Sequence, residues 1–316
     1  MLKKSIVLLC VLSLFSMPLF SQEEEEDDDL MALLEEEEEE TTDYTIATFK
    51  TARIINNHSI ETVNEGVLMF IIGHRFGRVN SGIREFFGID NATIRLGFEY
   101  GVTDNFTIGY GRSSFEKTYD GFLKYKILRQ STGKKRMPIT LTAFADAAIN
   151  SARFPEPDRE NYATSRFTYT YSLLIARKFN EYFSLQLSPT MIHRNLVATK
   201  ADNNSVFVMG AGGRVKLTGS LAVNMEYSWI IPGQIESKLY GENVQDAFSV
   251  GIDLETGGHI FQLHFTNSRG MIEKAVMTET TGRWLNGDIH FGFNVTRVFT
   301  IYDKNKRKAK KAEKKM

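Results

Sequence analysis

Residues Ala92–Arg112 read ATIRLGFEYGVTDNFTIGYGR. Ile94, Leu96, Phe98 and Tyr100 alternate with Arg95, Gly97, Glu99 and Gly101. In an extended chain this period of two sends apolar side chains to one face and polar or small ones to the other. Val102, Thr103, Asp104 and Asn105 break the pattern as a turn, after which Phe106, Ile108 and Tyr110 alternate with Thr107, Gly109 and Gly111. The stretch is a β-hairpin with one greasy face and one face that carries charge. A soluble sandwich answers the same description, so the fold is decided by what surrounds the hairpin.

The unit recurs along the chain. From Gly66 onward, twelve candidate strands span 66–76, 92–101, 106–112, 118–130, 138–148, 165–178, 183–193, 205–217, 221–230, 247–255, 259–266 and 288–299. Most approach the ~9 to 11 residues that a tilted membrane-crossing strand requires. Phe183, Leu185 and Leu187 oppose Ser184, Gln186 and Ser188; Ile289, Phe291, Phe293 and Val295 oppose His290, Gly292, Asn294 and Thr296. Charges and glycines on the second face fit an enclosed lumen, with the apolar face turned out to lipid. The links alternate in length. Those at 102–105, 131–137, 179–182, 218–220 and 256–258 are short, whereas 77–91, 149–164, 194–204, 231–246 and 267–287 are long, and only 113–117 on the long side is brief. Outer-membrane barrels have short periplasmic turns and long external loops. The expected fold is therefore all-β, a transmembrane antiparallel β-barrel of about 12 strands, with both termini in the periplasm and disordered charged tails. Closure satisfies every backbone donor and acceptor, which lipid demands. Tyr100, Tyr110, Tyr227, Trp229, Phe299 and Tyr302 lie near strand ends and suit interfacial aromatic belts.

Outside the barrel the chain changes character. Residues 1–21 carry Lys3 and Lys4 ahead of an apolar run, the pattern of a secretory signal peptide cleaved near Ser21. The single cysteine, Cys10, lies within it, so the mature chain has no thiol for a disulfide or a metal. Residues 22–44 hold EEEEDDD and EEEEEE, like-charge blocks that repel and stay solvated, and 303–316 form a basic tail rich in lysine. Residues 45–65 lack a full spanning alternation. Two placements are open for them, a short periplasmic strand or a plug in the barrel mouth. The formal net charge is -1, with no basic excess in the body of the chain to suit nucleic acid. Two external loops, Ser81–Phe87 and Met271–Arg283, have apolar residues that suit short helices packed over the mouth, as a lid or as ordinary loop packing.

His74-Arg75-Phe76-Gly77, the run from Ile94 to Gln130 that contains GRSSFEKTYDGF, and the last strand ending VTRVFTIY carry a resemblance. Over roughly residues 45–302 the chain resembles an outer-membrane β-barrel domain family of the Bacteroidota whose function is not known. The resemblance implies a signal peptide, a barrel and the outer membrane. It implies no substrate and no catalytic residue.

Chemistry is expected from the inward charges: Arg95, Glu99, Lys124, Lys126, Arg214, Lys216, Glu226, Asp253, Glu255, His264 and His290. The Lys124/Lys126 and Arg214/Lys216 pairs would attract anions and the Asp253/Glu255 pair would repel them, giving porin-like passage of small solutes. The structural alternative is that opposite charges pair across the interior. A barrel enzyme would need a nucleophile within reach of an oriented base. His264 and His290 are the nearest bases to Ser228, Ser249 and Asn294, but they face the lumen rather than lipid, and His74 reads as structural. There is no HExxH, GxSxG, nucleotide-binding glycine loop or CxxC pair, so no enzyme activity, cofactor or metal is expected. A third reading is a closed barrel that docks periplasmic or envelope proteins through its charged tails. The expected partners are outer-membrane lipid and a small solute, and the expected state is a monomer.

Overall fold

The computed structural model describes residues 41–154, 158 and 160–302. The leader, most of the acidic run and the basic tail lie outside the described residues. Twelve strands form one closed antiparallel barrel: β1 (Val67–Arg78), β2 (Ala92–Thr103), β3 (Phe106–Ser113), β4 (Thr118–Leu128), β5 (Thr140–Asn150), β6 (Phe167–Lys178), β7 (Phe183–Arg194), β8 (Ser205–Lys216), β9 (Leu221–Ile230), β10 (Ala247–Thr256), β11 (His259–Thr266) and β12 (His290–Thr300). Each strand pairs with its neighbour in sequence, and β12 closes on β1 from Thr300 opposite Val67 to His290 opposite Arg78. One end of the barrel carries the short turns. The other carries the long loops.

The alternation seen in the sequence becomes the wall of the barrel. Leu96 and Phe98 point outward and stand about two-fifths exposed, while Arg95 and Glu99 between them are buried. Phe70 stacks on Phe98 across the β1–β2 pair with ring centres 4.8 Å apart, the cross-strand contact that pins register. Opposite Arg95, Gly97 and Gly111 leave room for its guanidinium, which is ion-paired with Asp120 of β4.

Both loops marked for short helices contain helical turns. Residues 79–91 form two 3-10 turns, Val79–Ser81 and Ile83–Gly88, separated by Gly82 (φ 80°), and the left-handed Phe86 (φ 44°) and Phe87 (φ 55°) kink the second. In 271–283 only Glu273–Thr278, α1, is helical, and all six of its residues are buried.

The interior is not empty. Residues 48–63 run inside the barrel, with Thr51–Ile60 all buried. This segment enters at the turn end, where Thr42–Tyr44 pair with Ser131–Gly133 and the Thr45 amide donates to Gln130 O at 2.9 Å. It leaves by the same end, where Gly66 N donates to Gly101 O at 2.8 Å. A Cβ at Gly101 would collide with the Val63 and Asn64 carbonyl oxygens. Gly101→Val is therefore expected to lower barrel stability by about 1–3 kcal/mol, the cost of overpacking a close contact, as a lower urea midpoint in micelles at unchanged slope.

Candidate functional site

The inserted segment is held by one apolar cluster and by polar side chains of the inner wall. Phe49, Ile54 and Ile60 form an apolar cluster with Phe122, Phe144, Leu174 and Ala176, which point inward from the wall. Each of these large side chains contributes about 1.5–3 kcal/mol when fully buried.

At the apex, residues 53–58 make a tight hairpin closed by Ile54 N to Asn57 O and Ser59 N to Ala52 O, both 2.9 Å. The exposed amides of that turn need acceptors, since a buried unpaired amide is costly. Glu226 of β9 supplies them: its carboxylate accepts from the amides of Ile55 (3.2 Å), Asn56 (2.9 Å) and Asn57 (3.1 Å). Side chains of the wall serve the rest of the backbone. Gln262 donates to Ile54 O and Asn294 to Ile55 O, each at 2.9 Å. Gln186 donates to His58 O and accepts from Ile60 N, both at 2.8 Å. Lys124 Nζ donates to the carbonyls of Glu61 (2.9 Å) and Ala52 (3.2 Å).

From the loop end α1 descends onto this apex. Met277 packs with Ile192, Val206 and Val208, and Ala275 with Ala148 and Ile272. Glu273 accepts from His58 N at 3.0 Å and stands 3.7 Å from the Arg53 guanidinium. Lys274 bridges Glu116 (3.0 Å) and Glu279 (2.6 Å). Burial pulls the Lys274 ammonium down, but the two carboxylates outweigh it and hold it above its ordinary range.

Arg53 Nη2 donates to His58 Nε2 at 2.9 Å. A guanidinium has no lone pair to offer, so the ring nitrogen must accept and the imidazole is neutral, with its proton on Nδ1. Burial, followed by the charges of Arg53, Lys124 and Arg95, pushes His58 well below the usual histidine range. The rings of Phe122 and Phe144 lie 4.4 and 4.5 Å from it.

The residues singled out from sequence divide by what they touch. Arg95 pairs with Asp120, and Glu99 is buried beneath the inserted chain with no hydrogen bond among the described residues. Lys124 and Glu226 hold the segment, and Lys126 lies 3.7 Å from Glu61. Asp253 accepts from Gln262 at 2.9 Å, and Glu255 at the turn end pairs with Lys50 at 2.5 Å. Arg214 is buried on the inner face of β8, and Lys216 sits half-buried at its turn end. His264 is buried, and His290 meets Phe76 O at 2.8 Å through Nδ1. Lys124 and Lys126 direct their donors at the carbonyls and carboxylate of residues 52–61. The residues weighed for catalysis are otherwise engaged: Ser249 accepts from Asn56 at 2.8 Å, Ser228 from Asn57 at 3.1 Å, and His74 stacks outside on Phe293 at 4.9 Å.

Arg53, His58, Gln186, Gln262 and Glu273 escaped the sequence reading. The available signal was Phe122, an aromatic at the same parity as Lys124 and so on the inner face, which needs an apolar partner inside the barrel. A second space lies at the loop end, a cavity of about 500 Å³ lined among others by Arg78, Asn91, Phe115, Tyr240, Glu242 and Arg269.

A family model described as a membrane bound beta barrel domain (DUF5777) matches residues 49–299. Among solved structures, the chain is similar to the NanC porin at 8% identity, covering 74% of this chain and 98% of that one, with a TM-score of 0.45. It is similar to an outer membrane channel from Pseudomonas putida F1 at 14% identity, covering 76% and 98%, with a TM-score of 0.44. A third is the Acinetobacter baumannii outer membrane protein Omp33, at 9% identity, 74% and 99% coverage and a TM-score of 0.38. No curated protein matches.

Proposed function

This chain belongs to the DUF5777 family of membrane-bound β-barrel domains, and we propose that it is an outer-membrane channel for small polar solutes, closed from within by residues 48–63. The observation that carries the reading is the Glu226 carboxylate seated on three successive amides of the inserted apex. This anchorage at the apex is polar, and the apolar contacts of the segment are confined to Phe49, Ile54 and Ile60. The turn end, where the segment enters and leaves, faces the periplasm, and the loop end faces outward with its cavity as the first holding place for a solute. The exported chain loses residues 1–21 and works as a monomer. No catalytic step is assigned to it.

A second reading keeps the barrel permanently shut, as a scaffold that docks envelope proteins. It is favoured by the double occupation of the interior, from one end by residues 48–63 and from the other by α1.

Planar-bilayer conductance separates the two. The purified mature chain is expected to be silent or to open rarely, and deletion of residues 46–64 is expected to give sustained single-channel steps. A deletion variant that remains silent while migrating as a folded barrel on unheated gels would remove the channel reading and leave the scaffold.

A further inference from the structure

At the turn end Tyr125 and Ile127 complete the outward face of β4, and both stand about half exposed. Beside Ile127 lies a cavity of about 360 Å³. Ile127, Leu128 and Met137 give it an apolar side, while Arg129, Lys135 and Tyr44 give it a polar one. The Arg129 guanidinium lies over the Tyr44 ring, 4.7 Å from its centre. Among the described residues no carboxylate stands within ion-pair distance of Arg129 or Lys135. Lys126, also in the wall of the cavity, is directed at Glu61, and the one lining carboxylate, Asp104, accepts the Glu65 amide at 3.0 Å.

We infer that this cavity binds the headgroup of an anionic phospholipid, with the phosphate between Arg129 and Lys135 and an acyl chain along Ile127 and Tyr125. Three features favour that occupant. The cavity is continuous with the lipid-facing side of a membrane-spanning strand, so an acyl chain already lies beside it. Its two uncompensated cations call for a negative group, and a basic pocket at the membrane boundary is where acidic headgroups are recognised. Its apolar half has no use for a free phosphate.

The site also reaches the inserted segment. Tyr44 belongs to the short strand Thr42–Tyr44 that pairs with Ser131–Gly133, immediately before the chain enters the barrel. A lipid held against Tyr44 and Arg129 therefore braces the tether of the segment. The inference stands whether or not the barrel conducts.

The test uses the full chain in neutral detergent, titrated with phosphatidylglycerol, phosphatidylcholine or inorganic phosphate and read by native mass spectrometry. Phosphatidylglycerol is expected to bind at least about tenfold more tightly than phosphatidylcholine, and inorganic phosphate is not expected to displace it. Arg129→Gln combined with Lys135→Gln is expected to weaken phosphatidylglycerol by about tenfold or more. Lys134→Gln combined with Arg136→Gln, an equal loss of charge at the exposed tip outside the cavity, is expected to leave binding intact. Equal affinity for the two lipids, displacement by phosphate, or an equal loss in the tip variant would each overturn the site. Should the double cavity variant fail to fold, Lys135→Gln alone, at an exposed position, carries the comparison.

Discussion

Glu226→Ala is expected to expel residues 48–63 from the barrel. The substitution takes the acceptor from three buried amides at once, those of Ile55, Asn56 and Asn57. An unsatisfied buried donor costs about 1–3 kcal/mol, so three together cost several. A shift of about 3 kcal/mol alone changes the ratio of inserted to withdrawn segment by roughly a hundredfold. Limited proteolysis in detergent reads the change directly. Sites within residues 46–64, protected in the wild type, become cleavable in the variant while the twelve strands stay resistant. Glu226→Gln keeps one carbonyl acceptor and should fall between the two. If Glu226→Ala were protected as well as the wild type, the carboxylate would not be the anchor.

Acidification is expected to act in the same direction through His58. Its imidazole is neutral in the inserted state, accepting from Arg53 and pushed well below the usual histidine range by burial and by Arg53, Lys124 and Arg95. A withdrawn, solvated segment takes up a proton below about pH 6.5. The withdrawn state then binds more protons than the inserted one, so the inserted state is at full strength above that pH and weakens as pH falls. The slope approaches about 1.4 kcal/mol per pH unit, or tenfold in the ratio. Among the described residues Glu273, 3.9 Å from the ring, is the carboxylate near enough to offset the new charge, and it already faces Arg53. Protease susceptibility of residues 46–64, followed from pH 7.5 to pH 5, should rise steeply in the wild type and stay nearly flat in His58→Gln. A wild-type profile no steeper than that of the variant would exclude the imidazole as the sensor.

The wall of this protein was legible before any coordinate. The twelve strands fall within about two residues of the spans marked from alternation, because a period of two is a direct consequence of pleated geometry and survives any change of tertiary surroundings. The interior was not legible for a physical reason. Gln186, Gln262, Asn294 and Thr107 satisfy the backbone of residues 54–63, and the same side chains would satisfy water. A polar inner face therefore does not name its occupant. The exceptions were Phe122, Phe144 and Leu174, apolar at inward parity, and they sit under Phe49, Ile54 and Ile60. The short loop helices were legible in outline: Met271–Arg283 contains α1, and Ser81–Phe87 falls in a 3-10 turn kinked at the left-handed Phe86 and Phe87.

The inserted chain goes in and comes back through one opening, between the Thr45 contact with Gln130 and the Gly66 contact with Gly101. It is thus a bight rather than a thread, and no free end has to be passed through the cylinder. It can be drawn out, or tucked back, with the seam between the first and last strands left sewn. The order in which the cylinder is stitched and filled during biogenesis is consequently unconstrained by topology, and any force that opens it need pull from one side only.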